Sequence, residues 1–154
     1  MRILFVIPAL VLLTTIFVQH PVFAASEQHT FTFSYHHNFG VPGGGAAFNV
    51  WQGNGNFKDG ILTGKGFASA TYSDRGQKTI LEMKFSLSEP YELDASGNKL
   101  TANAYVESST MPSFPAGTTF KIVIEKGNKP STGVVCYVLP SESGCQGPAT
   151  VVIN

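Results

Sequence analysis

Residues 79–88 read TILEMKFSLS, and this stretch carries the clearest structural signal in the chain. Every second side chain is apolar, and the side chains between them are mostly polar. The apolar set is Leu81, Met83, Phe85 and Leu87. Because successive side chains of a β-strand point to opposite faces, this pattern predicts a strand with one buried face and one solvated face. Pro90 is expected to end it.

Similar alternation recurs along the chain, separated by segments rich in turn residues. Residues 28–37 place Phe31, Phe33 and Tyr35 on one face, and residues 99–107 and 118–125 alternate in the same way. Sixteen glycines and nine prolines supply the breaks, and residues 53–56 (GNGN) are predicted to form a turn. The sequence therefore predicts an all-β domain of roughly eight to ten antiparallel strands.

Two connections bear on the architecture. Residues 38–45 and 108–117 are longer than ordinary hairpin loops, and longer connections suit a chain that crosses from one sheet to another. This favours an antiparallel β-sandwich, with a small up-and-down β-barrel as the alternative. At 154 residues, without an internal repeat, the chain is expected to form a single domain.

The N-terminus has the pattern of a secretory signal peptide. Arg2 precedes an apolar run. The segment ends with Val22, Phe23 and Ala24, which puts the compact residues Val22 and Ala24 three and one places before the cut. Cleavage is expected after Ala24, with Ala25 as the neighbouring option. The prediction is a signal peptide over residues 1–24, a mature domain over residues 25–154, and a secreted or periplasmic location.

Cys136 and Cys145 are the only cysteines, and an even count in an exported protein predicts a disulfide. It would close a loop of ten residues and, in the chain-entropy model, contribute ~2.7 kcal/mol. We expect it to clamp the last hairpin.

The charge balance excludes one class of partner. Ten basic and ten acidic residues give a net charge of zero, and charged residues make up 13 % of the chain. No basic stripe marks a nucleic-acid surface, so no nucleic-acid partner is expected. No cofactor is expected either, because the sequence contains no nucleotide-binding or hydrolase motif.

Residues 40–60 hold the strongest candidate binding surface. If Phe48 and Val50 face the core, Trp51 faces solvent, where its ring could stack on a sugar while amides bind hydroxyls. Whether Trp51 is exposed or part of the core stays open. The candidate ligand-binding residues are Trp51, Asn49, Asn54, Asn56 and Tyr105.

Two titratable clusters are weaker candidates. His29, His36 and His37 could ligate a metal, but His36 and His37 are adjacent and should point to opposite faces of a strand, so no metal site is expected. Glu92 and Asp94 should share a strand face, a spacing compatible with an acid/base pair. A solvated hairpin end accounts for these two carboxylates equally well.

The leading hypothesis is a secreted, non-catalytic binding or interaction module for carbohydrate or a cell-surface partner. The first alternative is a membrane-associating or toxin-like effector that inserts loop aromatics, a role that would fall to Phe39, Trp51, Phe57 and Phe114. The second is a small hydrolase that uses Glu92 and Asp94. An enzyme is the less favoured class, as is membrane association, and the oligomeric state is left open.

Overall fold

The computed structural model describes residues 28–41 and 45–154, which form eight β-strands and no helix. The strands are β1 (His29–Val41), β2 (Gly45–Lys58), β3 (Ile61–Asp74), β4 (Gln77–Leu93), β5 (Lys99–Ser109), β6 (Thr119–Glu125), β7 (Gly133–Val138) and β8 (Ser143–Ile153). No helix within the described residues is long and apolar enough to span a membrane. The predicted signal peptide, residues 1–24, lies outside the described residues.

Each strand pairs antiparallel with the next, and β8 pairs with β1 to close the barrel. The all-β prediction is confirmed, and of the two architectures it allowed the structure has the alternative, an up-and-down barrel. Both long connections join neighbouring strands. Most of residues 38–45 belongs to β1 and β2, and the loop after β5 leads directly into its neighbour β6.

Two local predictions are wrong. Residues 53–56 continue β2 without a turn, because Gly53 and Gly55 occupy inward positions where larger side chains would not fit. β4 does not end at Pro90. It absorbs the proline in an irregularity between Ser88 and Tyr91 and runs on to Leu93, as prolines within sheets commonly do at bulges.

The barrel wall has unequal height. The pairing of β1 with β8 does not extend past Ser34, and the β4–β5 pairing stops at Met83 and Ser109. Beyond these points β1–β4 continue as a sheet of four strands. We call residues 35–41, 45–51, 68–74 and 77–82 the four-stranded extension.

Aromatic rings and glycines fill the interior together. The rings of Phe31, Phe33 and Phe85 lie against β2 and β3, where the inward positions are glycines. A Cβ on Gly66 would lie 2.1 Å from the Phe85 ring, and one on Gly53 would lie 2.6 Å from the Phe33 ring. An eight-stranded barrel has just enough interior for side chains to fill. Here one cluster of buried hydrophobic side chains, which includes these three rings and which we call the core cluster, occupies that interior.

The predicted disulfide is confirmed. Cys136 and Cys145 are directly opposite each other on β7 and β8, with their Cα atoms 4.0 Å apart. The bond ties the last hairpin on the outside of the barrel. On the inside, the next cross-strand pair lets the Tyr137 ring lie over Gly144.

Candidate functional site

Trp51 belongs to the core, which decides between the exposed and buried positions that the sequence left open. Its side chain is 6 % exposed and stacks on Tyr137 with ring centroids 5.7 Å apart, while Phe114 meets it edge-on at 6.0 Å. The outward assignment depended on Phe48 and Val50 facing the core. In the closed barrel the inner face of β2 is instead the face shared by Trp51 and Phe57.

The five predicted ligand-binding residues divide between the two faces of the wall. Asn49 and Trp51 point inward, and the buried Asn49 side-chain oxygen has no hydrogen-bond partner among the described residues. Asn54, Asn56 and Tyr105 lie on the outer face, and Tyr105 is 47 % exposed. Only these last three can form part of one external surface.

Cross-strand register places the outer residues in ordered rows. One row runs from Asn54 through Lys65 and Ser86 to Tyr105. Since neighbouring strands are about 4.8 Å apart, this row spans about 14 Å. A second row sets Gln52 beside Phe67 and Lys84, and a third sets Asn56 beside Thr63, whose hydroxyl donates a 3.1 Å hydrogen bond to the Asn56 amide oxygen.

We call this region the outer polar surface and define it by six residues. They are Gln52, Asn54, Asn56, Lys65, Phe67 and Lys84. A groove with a volume of about 500 Å³ crosses the surface, and Ser34 and Glu107 extend its lining. A second groove of about 420 Å³ adjoins it along Asn54, Asn56 and Lys65.

Four of these six residues were missed by the sequence reasoning, although the chain carries a signal for three of the four, Gln52, Lys65 and Phe67. Residues 52–56 (QGNGN) and 63–67 (TGKGF) both alternate glycine with a larger side chain. Two such stretches on adjacent strands place all their glycines inside and all their larger side chains outside. The predicted turn at 53–56 concealed this pattern.

The glycine-lined wall gives the outer polar surface a rigid support. Beneath Gln52, Asn54 and Lys65, the backbone rests directly on buried phenylalanine rings. A closely packed support holds the strand positions, so the outer side chains keep a fixed spacing.

The aromatic residues that membrane insertion would use are mostly buried. Trp51, Phe57 and Phe114 are each less than 7 % exposed, and the side chain of Phe39 lies outside the described residues. Phe114 does come from the β5–β6 loop, but it folds inward and packs on Phe120 and Tyr137. This loop therefore closes one end of the barrel.

Asp94 organises a turn. Its carboxylate accepts hydrogen bonds from the Ser96 hydroxyl and from the backbone N–H groups of Asn98 and Lys99, the latter two at 2.7 Å. The Ser96 hydroxyl, followed by the Lys99 N–H, holds the pKa of Asp94 below its usual value. All three donors favour the ionised carboxylate, which suits a fixed acceptor better than a proton donor.

The three histidines of the described residues make separate contacts. His29 stacks on Phe57 and hydrogen-bonds the Asn154 carbonyl, His36 bonds the Ser34 hydroxyl on the outer face, and His37 stacks on the core residue Tyr35. Among the described residues, no group of three His, Cys, Asp or Glu side chains is placed to hold a metal ion.

Comparison with known proteins adds no relative from which a function could be transferred. The chain matches no protein-family model, no curated protein and no solved structure. The fold and the outer polar surface therefore carry the functional argument.

Proposed function

We propose that this protein is an exported, non-catalytic binding module that takes a carbohydrate or another polyhydroxylated cell-surface ligand on its outer polar surface. The observation that carries the proposal is the line of Gln52, Asn54 and Asn56 at alternate positions of one rigid strand, beside the partly exposed ring of Phe67.

The chemistry of these side chains suits sugar recognition. Each amide offers an acceptor oxygen and two donor hydrogens, so three amides in line can bind successive hydroxyl groups in either direction. An aromatic ring packs on the apolar face of a sugar ring, and Phe67 in the groove and Tyr105 at the end of its row supply such rings. Lys65 and Lys84 favour a ligand that also bears an acidic group.

The filled interior supports an external site. The core cluster occupies the space that a ligand-carrying barrel of this size would leave open. The position of Asp94 in a turn likewise favours a binding role over hydrolysis by Glu92 and Asp94.

Export is the second part of the proposal. The N-terminal pattern ending at Ala24 supports it, and the Cys136–Cys145 disulfide is compatible with an extracellular or periplasmic location. A ligand displayed on a cell surface fits that location.

The test is a screen of the mature chain against neutral and acidic oligosaccharides, followed by NMR titration of the ¹⁵N-labelled protein with the best binder. We expect shift changes to cluster at Gln52, Asn54, Asn56 and Lys65. Asn54→Ala should weaken binding about fivefold and Lys65→Ala about tenfold or more, because a hydrogen bond to ligand contributes on the order of 1 kcal/mol and more where it is charged.

Lys121→Ala is the matched control, since Lys121 is an exposed lysine on β6, away from the outer polar surface. It should leave affinity unchanged. The proposal is wrong if no oligosaccharide binds, if the shifts map to another part of the barrel, or if Lys65→Ala and Lys121→Ala behave alike.

A further inference from the structure

Among the described residues, the four-stranded extension leaves one edge of β1 without a neighbouring strand. The pairing of β1 with β8 ends at Ser34 and Thr150, because β8 beyond this point pairs with β7 alone. β1 itself continues to Val41, paired on its other side with β2. Residues 36–40 therefore form a strand edge, which we call the β1 edge.

The backbone groups that face this edge follow from the hydrogen bonds at the other end of β1. Thr30 exchanges both of its backbone bonds with Asn154. Since residues of an antiparallel strand bond alternately to either side, the even-numbered residues of β1 face β8. His36, Asn38 and Gly40 accordingly direct their N–H and C=O groups to the free edge.

The opposite edge of the four-stranded extension, on β4, is better protected against pairing with another strand. On β4, Glu82 bonds Thr110 through both of its backbone groups, the Thr110 N–H to the Glu82 carbonyl at 2.8 Å and the Glu82 N–H to the Thr110 hydroxyl at 2.9 Å. Lys78 and Glu82 also flank Ile80 with charge, a common defence against edge-to-edge pairing. The β1 edge has no Asp, Glu, Lys or Arg within residues 35–41.

The β1 edge is also complementary to itself. In an antiparallel pair centred on Asn38, His36 of one chain is opposite Gly40 of the other. Apart from its chain neighbours, no described residue has an atom within 4 Å of the position that a Cβ on Gly40 would take. Gly40 also lines an outer groove of about 340 Å³ with Ala46 and Phe48. An imidazole from the second chain has room there, and Phe48 already contacts the His36 ring of its own chain, with centroids 6.1 Å apart.

We propose that two copies of this chain pair through their β1 edges, antiparallel and centred on Asn38, to form a twofold symmetric dimer with one continuous sheet. His36, Asn38 and Gly40 of each copy exchange backbone hydrogen bonds with the partner. An interface that consists mainly of one strand pair is small, so the dimer should be reversible, with a dissociation constant on the order of 10 μM.

The test is sedimentation equilibrium of the mature chain from about 1 to 500 μM, a range that brackets this constant. The wild-type mass should rise from one chain towards two. Asn38→Pro removes an edge N–H without touching the β1–β2 pairing, and Gly40→Lys fills the groove with a charge. Both should stay monomeric, with circular dichroism like the wild type. Ile80→Lys, on the β4 edge, is the matched control and should dimerise normally.

Hydrogen exchange of the unmodified protein provides a test that needs no variant. The amides of His36, Asn38 and Gly40 should gain protection as concentration rises, while those of Lys78 and Ile80 should not. A mass of one chain throughout, a concentration-independent exchange pattern, or loss of the dimer in Ile80→Lys alone would overturn the proposal. Oligosaccharide binding on the barrel wall is a separate readout that the β1-edge variants should leave intact.

Discussion

The inner and outer faces of β2 and β3 differ most between residues 52 and 67. Inside, Gly53, Gly55, Gly64 and Gly66 offer no side chains, and phenylalanine rings from β1 and β4 fill the space. Outside, the same stretches carry amides, lysine and one aromatic ring. The comparison shows that the glycines serve packing within a continuous strand, although such glycines more often mark turns.

The largest expected effect comes from the inner face. Trp51→Ala should lower the free energy of unfolding by about 3–5 kcal/mol, because it leaves a cavity beside Tyr137, Phe85 and Phe114. Urea denaturation measures this change. In the unmodified protein the Trp51 emission should be blue-shifted and protected from iodide. A quenchable, red-shifted spectrum would contradict the inward position.

A smaller loss is expected where a methyl group is added to the inner face. Gly66→Ala should cost about 1–3 kcal/mol or more, since its Cβ would lie 2.1 Å from the Phe85 ring. Asn54→Ala, on the outer face of the adjacent strand, should change stability by less than about 0.5 kcal/mol. The double variant Gly66→Ala/Phe85→Leu should cost less than the sum of its parts. Additive losses would show that the ring and the glycine are not coupled.

The smallest expected effect concerns Asp94, in a turn outside both faces. Its lowered pKa means that the ionised form is favoured on folding, so its contribution is present above the unfolded pKa, near 4, and is lost as pH falls through the lower folded pKa. Asp94→Asn should therefore be less stable than the wild type at pH 7. The melting temperatures of the wild type and Asp94→Asn, measured from pH 7 to pH 2, should converge at the acid end. A difference that stays constant with pH would contradict this assignment.

The alternation of apolar and polar residues along the sequence allowed much of the fold to be predicted. It placed Phe31, Phe33, Met83 and Phe85 on buried faces, and the count of two cysteines predicted the disulfide. It could not assign the faces of β2, since both Val50 and Trp51 are apolar and both prove to be buried. Glycine gives no hydrophobic signal, so the strand that continues through Gly53 and Gly55 was read as a turn.

The candidate site was predicted only in part, for a related reason. Asn54, Asn56 and Tyr105 stand out in the sequence as polar or aromatic residues near glycines. That Lys65 and Lys84 share their surface depends on the register of β3 and β4, which pairs residues far apart in sequence. Asn49 and Trp51 resemble ligand-binding residues in composition, yet the closed wall directs them inward.

By itself, the sequence determined the antiparallel β class, most strand positions and the Cys136–Cys145 pair, because these depend on local alternation and on a count of two cysteines. Only the tertiary structure decided whether the strands form a sandwich or a barrel, which way Trp51 points, and which residues form the β1 edge. These features depend on which strand closes against β1 and where that pairing stops at Ser34. Hydrogen bonds between distant segments fix that closure, and no local pattern encodes them.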